Sequence, residues 1–245
     1  MNDRGDILTQ ISNENNLNKI DQSDYDKFNN FIFSKDIKLM GKMLYRFNYF
    51  LETKHLPGDI VELGVFKGSG VSTFSKFIQI FCPNSNKKVV GFDIFNVELA
   101  KDILNNDGEI DQKNMMAVYD RVEHEDLTYN SVYDRLIQAN IQEDKFKLIS
   151  GDVHQSIPTF LKENPGFRIS LLYVDLDLDR PVYDSLTGLW DRILPGGVIL
   201  FDEYEYHKFS ESDGVDRFLK ERNIEFKLQS TDWVAPTAFL RKENF

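Results

Sequence analysis

The stretch from Ile169 to Glu203 reads ISLLYVDLDLDRPVYDSLTGLWDRILPGGVILFDE, and its pattern sets the fold class. Ile169 to Asp175 is apolar almost to its closing acid, as a strand buried on both faces must be. Pro181 to Ile193 has helical spacing and opens on a proline, which suits a first turn. Leu194-Pro195-Gly196-Gly197 is a turn signal, and Val198 to Phe201 is a second apolar strand that closes on Asp202. A strand, a helix and a strand in that order form a parallel pair with a crossover helix.

The same alternation runs outward from this unit. Upstream, Pro57-Gly58-Asp59 marks a turn before the short strand Ile60 to Gly64. A Gly/Ser-rich turn then leads into a helix near Ser72 to Phe81. Lys88 to Asp93 and Phe146 to Ser150 are further strands. Downstream, Asp213 to Arg222 reads as a helix, with strand candidates at Glu225 to Gln229 and Trp233 to Leu240. The pattern predicts an α/β fold, a mostly parallel sheet with helices on both faces.

Ahead of the sheet, Phe28, Phe31, Ile32, Ile37, Met40, Met43, Leu44, Phe47 and Phe50 recur at roughly helical spacing between Gln22 and Thr53, which predicts two helices. Residues 1–56 are therefore read as a tail with a helical extension, and 57–245 as the main domain. The polar stretch Met1 to Lys19 reads as a frayed tail without a signal segment. Ile94 to Lys145 is a polar insertion between strands, with helical spacing around Met115 to Val122 and Val132 to Ile141. It is expected to form a helical lid, the alternative being a solvated excursion.

Composition narrows the function classes. A chain of 245 residues with 41% hydrophobic content can bury one ordinary core. Its net charge of −11 repels phosphate backbones, so nucleic acid is not an expected partner. The single cysteine, Cys82, cannot form an internal disulfide, which fits a cytoplasmic location. No apolar run approaches the roughly 18 residues of a membrane span, so no membrane insertion is expected.

In parallel sheets, ligands sit beyond the carboxyl ends of the strands. Here those ends are Glu62-Leu63-Gly64, Asp93, Gly151-Asp152, Asp175 and Asp202-Glu203. A packed core gives no reason for acid or glycine at every one. They point to a cleft that binds hydroxyls, amines or a metal. In Glu62-Leu-Gly64-Val-Phe-Lys-Gly68-Ser-Gly70 the glycines allow close backbone approach to a ligand, but the G-x-x-x-G-x-G spacing differs from the dinucleotide fingerprint. Asp93 can accept both hydroxyls of a ribose, or cap the next helix. Asp152 suits an adenine edge, or again a cap. Asp175, Asp202 and Glu203 would repel one another unless neutralised, and a hard divalent cation such as Mg²⁺ or Mn²⁺ is the expected neutraliser; the alternative is a set of caps and solvated loop ends. Asp179 reads as a helix cap. Asp177 and His207 are candidate general bases.

With these residues in view, the chain resembles the macrocin/mycinamicin/novobiocin sugar O-methyltransferases. The runs VELGVFKG (Val61 to Gly68), VVGFDIF (Val89 to Phe95) and LLYVDLDLDRPVYDSLTGLWDRILPGGVILFDEY (Leu171 to Tyr204) carry the resemblance, which spans roughly Gly58 to Leu219. It implies a class I methyltransferase fold, Rossmann-like with a seven-stranded sheet, that uses S-adenosylmethionine (SAM) and Mg²⁺ to methylate sugar hydroxyls. It implies that Glu62 and Gly64 contact the methionine part of SAM and that Asp93 holds the ribose. Phe66, Gly68, Ser72, Asp152 and Asp175 complete the expected SAM contacts, and Asp175, Asp202 and Glu203 are the expected metal ligands. The chain departs from the family pattern at two places. Glu203 stands where a second aspartate is usual, and D-L-D-L-D-R-P-V replaces the D-G-D-x-Y-x-S-T run that approaches the acceptor. The expected partner is a small sugar substrate, nucleotide-linked or glycosylated, from surface polysaccharide or secondary metabolism. Asn- and Lys-rich composition points to an AT-rich bacterial genome and favours the surface glycan. The N-terminal helices are a candidate oligomer surface. A methyltransferase of small phenolics and a non-catalytic SAM-fold module are the alternatives.

Overall fold

The apolar runs become the strands of one seven-stranded sheet. β1 (Asp59–Leu63), β2 (Val89–Asp93), β3 (Phe146–Ser150), β4 (Ile169–Val174) and β5 (Ile193–Phe201) are parallel, and β7 (Ala238–Arg241) closes antiparallel on β5 with the short β6 (Gln229–Ser230) beside it. The spatial order is β3-β2-β1-β4-β5-β7-β6, so the direction of winding reverses between β1 and β4. The computed structural model describes residues 21–224 and 228–243. The expected tail at Met1 to Lys19 and most of the strand expected at Glu225 to Gln229 lie outside them; Gln229 itself opens β6.

Alternation along the strands gives each face its own core. Val61, Leu63, Phe92, Leu172 and Val174 face α7 (Val153–Glu163), α8 (Asp179–Leu189) and α9 (Glu211–Glu221), through Ile157, Phe160, Leu186 and Phe218. Ile60, Val89, Leu171 and Tyr173 face the other way, onto α2 (Lys38–Thr53), α3 (Ser69–Phe81) and α6 (Tyr129–Gln138), through Phe50, Phe74, Ile78 and Val132. Cys82 is a free thiol at the C-cap of α3.

The chain divides into two compact units, Met1–Met40 and Gly41–Phe245. In the first, α1 (Gln22–Ile32) is capped by Asp21, which accepts from the Ser23 N–H at 2.8 Å, and no residue of α1 is buried. The second unit takes in most of α2, including the core residues Tyr49 and Phe50, and so includes part of the region read as an extension. Gly41 explains how α2 is seated there. A Cβ at this position would lie 2.1 Å from Trp233 Cζ2, so only glycine lets the indole lie against the helix, where it also stacks on Tyr45.

The strand expected at Trp233 to Leu240 begins only at Ala238 and runs to Arg241, and other segments differ from expectation as well. The Leu194–Gly197 turn lies inside β5 as a bulge: Ile169 pairs with Ile193, but Leu171 pairs with Val198. Backbone bonds from Gly196 N to Lys242 O and from Lys242 N to Gly197 O stitch it to the chain beyond β7. The insertion after β2 also divides in two. Its first half forms α4 (Val97–Leu104) and α5 (Glu109–Tyr119), whereas Val132 and Leu136 of α6 join the sheet core. The polar sequence around α4 hid its cap, Asn96, which accepts from the Leu99 N–H at 3.0 Å. No helix among the described residues is long and apolar enough to cross a membrane.

Leu172 is fully buried at the centre of β4. Leu172→Ala is expected to lower the unfolding free energy by about 2–5 kcal/mol, the cost of an unfilled core site, as read from the urea denaturation midpoint.

Candidate functional site

The parallel ladder runs one residue past the strands and sets their ends in a row. Gly64 N donates to Phe92 O, Gly151 N to Asp93 O, Asp175 N to Leu63 O and Asp202 N to Val174 O, each at 2.9 Å. These bonds bring the sequence-predicted strand ends to one rim. A cavity of about 390 Å³ opens beyond it, within the range of about 300–1,000 Å³ for small-molecule sites. It sits where the winding reverses, the usual ligand position in such sheets.

The rim is built around Gly64. Its φ of +82° is a left-handed conformation, and a Cβ there would lie 1.8 Å from the Asp175 carbonyl oxygen. Both facts demand glycine. The turn that follows also holds Phe66 at φ +51° and ends on Gly68, the N-cap of α3. Asp93 ties this turn to the next: its Oδ2 accepts from Phe66 N at 2.8 Å and its Oδ1 from Phe95 N at 3.2 Å. Burial pushes its pKa upward while these backbone amides pull it down. Asp152 caps α7 by accepting from His154 N at 3.0 Å, and it also lines the cavity. The cap reading of that residue is thus met, and its place on the cavity wall leaves it within reach of a ligand.

Of the expected cofactor contacts, Gly64, Phe66, Asp93, Asp152 and Asp175 line the cavity. Glu62, Gly68 and Ser72 stand behind it. Glu62 is buried under the start of α3 and pairs with Arg46 Nη2 at 3.2 Å. Gly68 lies against Val132, and Ser72 N donates to Gly68 O at 3.0 Å within the first turn of the helix. The roof comes from the first half of the insertion, with Ala100, Leu104, Met115 and Tyr119, and from Leu127.

Carboxylates crowd the other end of the cavity. Asp175, Asp177, Asp202 and Glu203 line it, and Glu211 is buried behind. Asp177 is held there by a tight turn: its φ is +65°, and Leu178 N donates to Leu176 O across it at 2.7 Å. Such backbone costs energy and clusters at functional sites. Burial, then Asp175 and Glu203, raise the Asp177 pKa well above the usual carboxylate range. Glu203 is pushed up to about 7 by burial and by Asp202 and Asp175. One of its oxygens, Oε2, is buried with no hydrogen-bond partner. His207 is exposed and packs on Tyr206, away from the cavity lining.

Sequence reasoning missed the counter-charges. Lys42 Nζ lies 3.0 Å from Asp175 Oδ2 and 2.8 Å from Asp202 Oδ2. Burial opposes its charge, but those carboxylates prevail and its pKa is raised. Arg46, one turn on, pairs with Glu62 and stacks 4.3 Å from the Tyr173 ring centroid. Tyr173 Oη in turn donates to Asp202 Oδ1. The signal was present as two cations at i, i+4 on one helix face, but the partners of Lys42 lie 133 and 160 residues off in sequence.

The residues fit a SAM-like ligand better than they fit a metal. The glycine cradle admits close approach, and an acid-lined cavity suits a cationic nucleoside rather than a phosphate. For a divalent ion, the expected ligands Asp175 and Asp202 converge on an ammonium, and among the described residues no group of three or more His, Cys, Asp or Glu is arranged to hold one. As arranged, the site does not fit the metal.

Arg46→Met removes the partner of a buried carboxylate and is expected to cost about 3–5 kcal/mol. Adding Glu62→Gln should recover part of that loss, as measured by a double-mutant cycle in urea.

The family described as macrocin O-methyltransferase (TylF) matches residues 44–242. A tetracenomycin rhamnosyl 4'-O-methyltransferase of Streptomyces olivaceus is 26% identical over 66% of this chain and 60% of its own length. The mycinamicin III 3''-O-methyltransferase of Micromonospora griseorubida is 22% identical over 73% of this chain and 68% of its own. The chain thus spans about 60% of the first relative. Among solved structures, the calicheamicin methyltransferase CalS11 superposes with a TM-score of 0.70 at 21% identity, covering 100% of this chain and 95% of that one. The O-methyltransferase NovP gives 0.66 at 19% identity, covering 85% and 81%. These structures share the class I methyltransferase fold.

Proposed function

The chain belongs to the macrocin O-methyltransferase (TylF) family, and from that premise we propose that it transfers a methyl group from SAM to a hydroxyl of a sugar. The observation that carries this reading is the rim of glycine and acid that the parallel ladder lines up around one cavity. Residues 57–245 form the methyltransferase domain in this reading, with the insertion of 94–145 contributing its lid. SAM supplies an electrophilic methyl group on a cationic sulfur. Gly64 and Phe66 approach its amino-acid end, Asp93 takes its ribose, and Gly151 and Asp152 border its adenine. Glu62, Gly68 and Ser72 act from behind, by holding the turn and the start of α3 in place. The acids at the far end of the cavity favour the cationic reactant over the neutral product.

The acceptor oxygen must lose a proton as it attacks. Asp177 and Glu203 are the carboxyl groups placed to take it. Glu203 is the better base at neutral pH, because its raised pKa of about 7 leaves a substantial ionised fraction that holds a proton well once received. Asp177, whose pKa burial and the nearby Asp175 and Glu203 raise, lines the cavity beside it and orients the acceptor. His207 takes no part. No step is assigned to a divalent ion.

The acceptor is read as a nucleotide-linked or glycoconjugate sugar of surface polysaccharide or secondary metabolism; the name of one relative, which places a rhamnosyl group in its substrate, supports the sugar. Exposed Phe28, Ile32 and Phe33 support the further reading that copies of the chain associate through the N-terminal helices.

Calorimetric titration is expected to show SAM binding at one site per chain, and Asp93→Ala should weaken it by about 1–3 kcal/mol, the cost of leaving bound hydroxyls unpaired. A panel of nucleotide sugars, with a catechol as control, should release S-adenosylhomocysteine from a sugar. Absence of SAM binding sinks the proposal, and turnover on the catechol alone redirects it. The base must be ionised, so turnover should rise with pH through about 7 and level off above it, and Glu203→Gln should remove that limb.

A further inference from the structure

Asp175 and Asp202 end neighbouring parallel strands, and their Oδ2 atoms point at one place. Lys42 Nζ fills that place, 3.0 and 2.8 Å from the two oxygens. A divalent ion bound to both carboxylates would stand about 2.0–2.6 Å from each, so ion and ammonium compete for one position. The lysine is not a loose surface residue. Its side chain is 25% exposed, with the Tyr173 ring centroid 5.8 Å away. Its helix is fixed on one side by Trp233 lying against Gly41 and on the other by the Arg46–Glu62 pair. The second oxygen of Asp202 is already taken by Tyr173 Oη.

We propose that Lys42 is the built-in cation of this active site: its ammonium stands between Asp175 and Asp202 in place of a divalent ion. Lys42 also lines the cavity, and an ammonium has three donors, of which the aspartates take two. The third is free to donate to an acceptor oxygen and hold it for attack. Unlike a metal, an ammonium lowers the acidity barrier of a bound hydroxyl only weakly, which leaves proton removal to a carboxylate. The inference rests on the methyltransferase reading only for what the position would otherwise hold.

The test is titration of Mn²⁺ into the full chain, with free ion read by electron paramagnetic resonance, for wild type, Lys42→Met and Lys42→Arg. Wild type and Lys42→Arg are expected to show no stoichiometric site. Lys42→Met is expected to bind Mn²⁺ at least about tenfold more tightly, because a positive charge at contact distance has been removed. Lys42→Gln carries the same expectation should Lys42→Met fail to fold. Equal Mn²⁺ affinity in wild type and the neutral variants, whether tight or absent, overturns the proposal. Parallel SAM titrations in EDTA keep the two readings apart. Loss of SAM binding by wild type counts against the methyltransferase reading, whereas the Mn²⁺ comparison decides the role of Lys42.

Discussion

Carboxylates gathered at the carboxyl edge of a parallel sheet repel one another, and the structure depends on how that repulsion is balanced. Asp175 and Asp202 are brought together by the strand ladder itself, since each backbone N–H bonds to the strand beside it. Glu62 is buried beneath the next helix. One helix, α2, answers all three with Lys42 and Arg46. Tyr173 links the two halves of this arrangement, with Arg46 against its ring and Asp202 on its hydroxyl. Such a network is costly to break on one side, because the remaining charge stays buried.

The balance also shapes the cavity. Burial and neighbouring acids raise the pKa of the carboxyl groups that no cation pairs with, which brings them toward the range useful for proton transfer. Glu203 illustrates the point. Its neighbours raise its pKa, one of its oxygens lacks a partner, and it lies on the cavity wall. A cationic reactant entering this space meets a partly charged surface instead of water. On methyl transfer that cation becomes a neutral thioether, and the attraction ends.

Much of this was legible in the sequence, for physical reasons. Strands buried on both faces must be apolar, so β1, β2, β4 and β5 stood out, the edge strand β3 kept enough apolar residues to be seen, and their closing residues named the rim. The position of Gly64 followed from its place after a strand. Other features depended on contacts between distant segments. Lys42 and Arg46 look like ordinary surface charges on an amphipathic helix, and only the fold brings Lys42 to Asp175 and Asp202, more than a hundred positions away, and Arg46 to Glu62 and the Tyr173 ring. The bulge in β5 combines a local cause, Gly196 at φ +81°, with backbone bonds to Lys242 that its own sequence does not announce. The helix of Val97–Leu104 was hidden by its polar face, and His207, four positions after Glu203, is exposed and not among the residues that line the cavity.

The central claim is that the glycine-and-acid rim binds SAM and does so with Lys42 in place. A crystal structure of the chain with S-adenosylhomocysteine, grown with excess Mg²⁺, tests it most directly. The account predicts the nucleoside in the cavity with its ribose on Asp93, and Lys42 Nζ still between Asp175 and Asp202. A nucleoside bound elsewhere, or none, would contradict the reading of the site, and Mg²⁺ on Asp175 and Asp202 with Lys42 displaced would contradict the built-in cation.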